Sequence, residues 1–128
     1  MGFLSRFQSE VIPEWAEHYV PLEELQQILR SAANDPERTA SAAKEFIDRL
    51  SSAVAELTSF LTSMETQFRA GLQRIDFEQG QGDGAQTELE RLYVKLYRLT
   101  KLFVPLNLTA VSKLVRVILR RIRPRPTD

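Results

Sequence analysis

Lys113, Arg116 and Arg120 recur through the stretch NLTAVSKLVRVILRR, Asn107 to Arg121, at intervals of three and four residues. A helix turns by about 100° per residue, so these three and Arg123 fall within an arc of roughly 80°. Val111, Leu114, Val115, Ile118, Leu119 and Ile122 fall on the other side, and Val117 alone projects beside the basic stripe. Three clustered cations are the smallest useful device for holding a multiply phosphorylated small molecule through charge-assisted hydrogen bonds. The same stripe also fits a solvated helix face, because cations near a helix C-terminus complement its dipole. Nucleic acid would use these charges, yet the stripe is short and has no interleaved aromatic residues. A membrane-surface helix would carry Trp or Phe at its apolar edge, where this one has the Val, Leu and Ile suited to a bundle.

Little else in the chain could do chemistry. There are no cysteines, which excludes disulfides and thiolate metal sites and fits a reducing, cytoplasmic setting. His18 is the only histidine, too few for a zinc site of the usual kind, and it has no catalytic companion. No Ser/His/Asp or paired-carboxylate arrangement is visible. The segment QGDGA follows a helix rather than a strand and lacks the lysine of a phosphate loop, so it reads as a linker. Neither an enzyme nor a bound cofactor or metal is expected.

The zero net charge hides a segregation of sign. Residues 1–100 carry ten Lys/Arg against sixteen Asp/Glu, net −6, whereas residues 101–128 carry seven against Asp128 alone, net +6. An anionic partner would be drawn to the C-terminal end. No run of eighteen apolar residues is present, so no membrane span is expected, and MGFLSRF lacks the features of a secretory signal.

The elements that must position the stripe all read as helical, and the 128 residues suggest one domain, with 121–128 as a basic, proline-containing tail or linker. Phe3, Leu4, Phe7 and Val11 mark a short amphipathic helix, and Pro13 sets a turn. Pro21 opens a second helix with Glu23 and Glu24 in its first turn and Leu22, Leu25, Ile28 and Leu29 as its buried stripe. From about Thr39 to Ile75 apolar residues recur at threes and fours for roughly ten turns. Such a helix needs a partner running back along it, and EQGQGDGAQ, 78–86, supplies the reversal. Leu89, Leu92, Tyr93, Leu96, Tyr97, Leu99, Leu102 and Phe103 form that partner, with Tyr93 and Tyr97 at the core edge. Pro105 is expected to break or kink it, with Asn107 as N-cap of the last helix. Trp15 reads as a buried anchor. The fold expected is all-α: an N-terminal helical hairpin packed on two long antiparallel helices, followed by a C-terminal basic helix.

Three blocks, in order, resemble the SPX domain, a helical phosphate-status sensor of eukaryotes. MGFLSRF…IPEWAEHYVPLEELQQIL is similar to the family's opening, with its MKFG-like start, PEW turn and Y-I-x-Y-x-x-L-K helix. EFIDRLSSAVAELTSFLTSMETQF has the family's F-x-x-L…E-L-x-x-F spacing. LERLYVKLYRLTKLFVPLNLTAVSKLVRVILRR resembles the block in which an L-Y-R helix leads into L-N-x-T-G-F-x-K-I-x-K-K-x-x-K.

The resemblance covers almost the whole chain and implies a basic surface shared by the N-terminal hairpin and the last conserved helix. In the family that surface binds inositol polyphosphates and pyrophosphates and reports phosphate status to a protein partner or fused effector domain. Residue by residue, the lysines of the last block fall on Lys113, Arg116 and Arg120, and a fourth falls on Val117. The second helix's Tyr falls on Leu22, its two Lys on Gln26 and Gln27, and the Lys of the first residues on Gly2. The resemblance therefore implies a weakened inositol phosphate site, with a ligand-independent protein scaffold as the alternative. At roughly 1.5–3 kcal/mol per contact to a charged group, the missing donors amount to several kcal/mol.

Overall fold

The computed structural model describes residues 2–33, 36–75 and 83–122. Among them there is no strand. The elements are α1 (Phe3–Ser9), a 3₁₀ segment (Pro13–His18), α2 (Leu22–Ala33), a 3₁₀ turn (Pro36–Arg38), α3 (Thr39–Arg74), α4 (Asp83–Arg98), a π turn (Leu99–Phe103) and α5 (Val104–Ile122). The chain is an all-α bundle, with the N-terminal helices packed on the antiparallel pair of α3 and the helix that returns along it.

Helix α3 is 36 residues long, about 54 Å at 1.5 Å per residue. Its inner stripe of Ala42, Phe46, Ala53, Leu57 and Met64 is buried. Helix α2 crosses its N-terminal half, sealed by buried Leu22, Leu25 and Leu29. At the rim the Arg49 guanidinium donates to both Glu24 oxygens, at 2.9 and 3.3 Å. That hydrogen bond holds the Glu24 carboxyl below the usual carboxylate range. Pro21 precedes α2, and its carbonyl accepts the Leu25 N–H at 3.0 Å, so the helix starts where the proline allows.

An aromatic cluster fixes the hairpin against the returning helix. Phe103, fully buried, meets Tyr19 at 4.7 Å, Phe60 at 5.2 Å and Trp15 at 5.7 Å between ring centroids. Trp15 is 3% exposed, an anchor rather than a platform, and the Arg98 guanidinium lies 5.7 Å from its ring. His18 stacks on Phe60 at 3.9 Å.

The returning helix departs from the sequence reading. Pro105 does not break it: α4, the π turn and α5 form one unbroken helix. A proline lacks the N–H that would bond four residues back, and its ring clashes with that carbonyl in regular α geometry. The wider turn just upstream, in which the Val104 N–H reaches the Leu99 carbonyl, absorbs the misfit. Asn107 is consequently not an N-cap but a fully buried residue inside α5. Tyr93 and Tyr97 are not at the core edge either; they are 66% and 50% exposed.

From Gly84 to Arg121 this helix is long and apolar enough to cross a membrane by length and composition, with a window of mean hydropathy 1.7 that is 33% buried. A helix that buries one face in a bundle core has the same composition, as Phe103, Ala110, Leu114 and Ile118 do here.

Candidate anion-binding cleft

Helices α2 and α5 pack side by side and leave a cleft of about 400 Å³ between them. Leu114 and Ile118 of α5 and Leu22 and Leu29 of α2 are buried, which brings the flanks of both helices to the surface together. On the α5 flank stand Lys113, Arg116 and Arg120, all exposed and all lining the cleft. The three residues expected from spacing are therefore together on one wall. Arg123 lies outside the described residues.

None of the three pairs with a carboxylate among the described residues. Several cations elsewhere are neutralised locally, among them Arg6 by Glu10, Arg69 by Glu65, Arg91 by Glu88, and Lys95 and Arg98 by Glu14, so what sets the three apart is that they share one concavity. Lys113 instead places its ammonium 5.0 Å from the Phe3 ring centroid, held over an aromatic face at the rim. Unpaired cations facing one concavity make a positive local potential that an anion would relieve.

The α2 wall is neutral along most of its length. Leu22, where the resemblance implies a tyrosine, is 2% exposed and turned into the core. Gln26 lines the cleft, and its Oε1 is buried without a hydrogen-bond partner among the described residues. An orphan amide oxygen beside guanidinium groups is an acceptor in want of a donor; rotation of the amide would offer its N–H groups to a guest instead. Gln27 is exposed and does not line the cleft. Val117 lies on the wall between the basic residues, 36% exposed. Gly2 is exposed, with open space where a side chain would begin.

Two more cations belong to the cleft. Arg30 stands on the α2 side, and Arg121 closes the end, donating from Nη1 to the Leu29 carbonyl at 2.7 Å. Arg30 lies four residues after Gln26 and eight after Leu22, on one face of one helix, and that spacing is what brings it to the cleft. The tether of Arg121 to α2 had no sequence signal, because it spans 92 residues. The apolar side of α5 also divides: Leu114 and Ile118 are buried, whereas Val115 and Leu119 are 36% and 53% exposed.

Among the described residues no group of three or more His, Asp or Glu could hold a metal ion. No family model matches the chain, and neither a curated protein nor a solved structure is significantly similar to it.

Proposed function

We propose that the chain is an SPX-like regulatory module that takes an inositol polyphosphate or pyrophosphate into the α2–α5 cleft. The observation that carries this reading is the set of unpaired cations, Lys113, Arg116 and Arg120, along one wall of a single concavity. Arg30 and Arg121 add charge at its other edges. A guest with several phosphates needs several charge-assisted contacts to offset its own desolvation, and five cations around one cleft supply them. Planar guanidinium groups at 116, 120 and 30 favour bidentate grip on phosphate oxygens. The neutral α2 wall, with Leu22 and Gln26, makes the binding weaker than a fully basic site would give. In this reading the bound state is read out by a protein partner or a fused effector domain, and neither catalysis nor nucleic acid is involved.

Isothermal titration with inositol hexakisphosphate at low and at physiological salt tests it. Heat that shrinks with salt and is strongly reduced by Lys113→Ala is expected. No heat at either salt, or heat indifferent to Lys113→Ala, rejects it.

A second reading rests on Leu22, Gln26 and Val117: the site has decayed, and the module is a protein scaffold that ignores inositol phosphates. Capture of a protein partner unaffected by added inositol hexakisphosphate, together with silent titrations, would favour that reading.

A further inference from the structure

Helix α4 and the π turn carry an outer face that the bundle leaves uncovered. Leu89, Tyr93, Val94, Leu96 and Tyr97 are 41%, 66%, 53%, 45% and 50% exposed. The inward residues Ala85, Leu99 and Phe103 are buried against the bundle, and at about 100° per residue Tyr93, Val94 and Tyr97 project away from that side, whereas Leu89 and Leu96 lie near it, where the bundle leaves them partly uncovered. The two tyrosine rings sit 6.4 Å apart, tilted by 38°, as one continuous aromatic ridge. Tyr93, Val94 and Tyr97, three large apolar side chains within five residues on the outward side, form a patch rather than the scattered exposure that any protein shows.

The charges around this patch are sorted by position. In α4 the acids Asp83, Glu88 and Glu90 come first, and every charge after them to Lys101 is basic: Arg91, Lys95, Arg98 and Lys101. Arg91 is spent on Glu88, and Lys95 and Arg98 on Glu14. Glu90 and Lys101 remain exposed without an ion pair among the described residues. They flank the apolar patch at opposite ends, eleven residues or about 16 Å apart.

We infer that this face is the contact between two copies of the chain, with α4 packed antiparallel on α4 about a two-fold axis near residues 95 and 96. A surface that is acidic at one end and basic at the other is complementary to itself under that symmetry. Glu90 then meets Lys101 of the partner subunit, and Lys101 meets Glu90 of the partner subunit. The tyrosine ridges cross at the centre, where aromatic side chains dominate interface energetics. A parallel pairing would set Glu90 against its own equivalent. The patch offers at most roughly 400 Å² per copy, about 800 Å² in total and below the size of stable interfaces, so the dimer is a weak, transient one seen only at high protein concentration.

Sedimentation velocity on the chain 1–128, from roughly 1 to 200 μM at physiological salt, reads the equilibrium. A monomer–dimer transition within that range is expected, and a monomer throughout overturns the inference. Tyr93→Glu, at an exposed position that leaves helix content unchanged by circular dichroism, abolishes the dimer. Glu90→Lys and Lys101→Glu each weaken it about tenfold, because two like-charge contacts replace two attractive ones. Mixing these two single variants restores association to within about twofold of wild type, since both contacts of the heterodimer are again attractive. A dimer indifferent to Tyr93→Glu, or single variants that do not complement on mixing, overturns it.

Discussion

The Val20 N–H donates to Asn107 Oδ1 at 2.8 Å across 87 residues of sequence, wholly inside the core. Asn107 Nδ2 donates in turn to the Phe103 carbonyl at 2.9 Å, inside the widened helical stretch around the π turn. Only one amide orientation satisfies both bonds, because the opposite one sets two donors face to face. This side chain thus joins the hairpin to the returning helix and compensates backbone that the π turn disturbs. Asn107→Ala leaves a buried N–H unpaired and removes both bonds, so it should cost about 2–4 kcal/mol. Urea unfolding with an unchanged slope would show that loss. Asn107→Asp keeps the acceptor but turns a carboxylate toward a carbonyl, and should be no better than alanine at neutral pH.

Tyr19 secures the other side of the same turn. Its hydroxyl oxygen accepts the Ile12 N–H at 2.9 Å, and its ring packs on Phe103 and Phe7. Burial raises the phenol's pKa, outweighing the Ile12 hydrogen bond and the Arg98 charge, which lower it. A phenol whose folded value exceeds its unfolded value contributes stability that is present below the unfolded value and lost as pH climbs through the folded one. Thermal melts of the wild type should therefore fall from about pH 9 to 11 more steeply than those of Tyr19→Phe. At neutral pH the same substitution should cost about 1–2 kcal/mol, because the Ile12 N–H loses its acceptor.

Where α3 meets α4, Gly71 leaves room for the Leu92 side chain: a Cβ there would stand 3.0 Å from Leu92 Cδ2. Leu92 is half-buried and borders a cavity of about 570 Å³ that Gly71 also lines, so its side chain has room to give way. Helix propensity favours alanine over glycine by about 1 kcal/mol. Gly71→Ala should then raise the melting temperature by roughly 1–3 °C. Gly71→Leu, too large for that room, should lower it.

Helix positions were legible because apolar residues repeat at threes and fours: Phe46, Ala53, Leu57 and Met64 in α3, and Leu22, Leu25 and Leu29 in α2, are buried as that period requires. What the period cannot give is how wide a stripe the fold covers. Leu89, Leu96 and Tyr97 belong to the α4 stripe by spacing, yet α3 shields only the Ala85–Leu92 edge, and they stay exposed. Asn107 was misread for a local reason. Asparagine two residues after a proline looks like a helix start, and only the long-range partner Val20 distinguishes it from a buried strut. The basic wall of the cleft was legible since it lies on one helix. Its opposite wall was partly so, because pairing α2 with α5 is a tertiary fact that no short stretch encodes.

The same geometry says how the cleft could be strengthened. Val117 sits on its wall between Lys113 and Arg120 and is already 36% exposed, so a longer polar side chain there leaves the core untouched. A lysine would add one charge-assisted contact to a phosphate oxygen, and even the low end of such a contact, about 1.5 kcal/mol, is roughly tenfold in affinity. Val117→Lys should bind inositol hexakisphosphate about tenfold more tightly than wild type. Its affinity should also fall more steeply with salt, as another cation does its part through screened attraction. Gln27→Lys, on the same helix as Gln26 but turned away from the cleft, adds the same charge to the protein without the contact. Long-range attraction alone would make the two variants equal, whereas a guest seated in the cleft makes only Val117→Lys tighten.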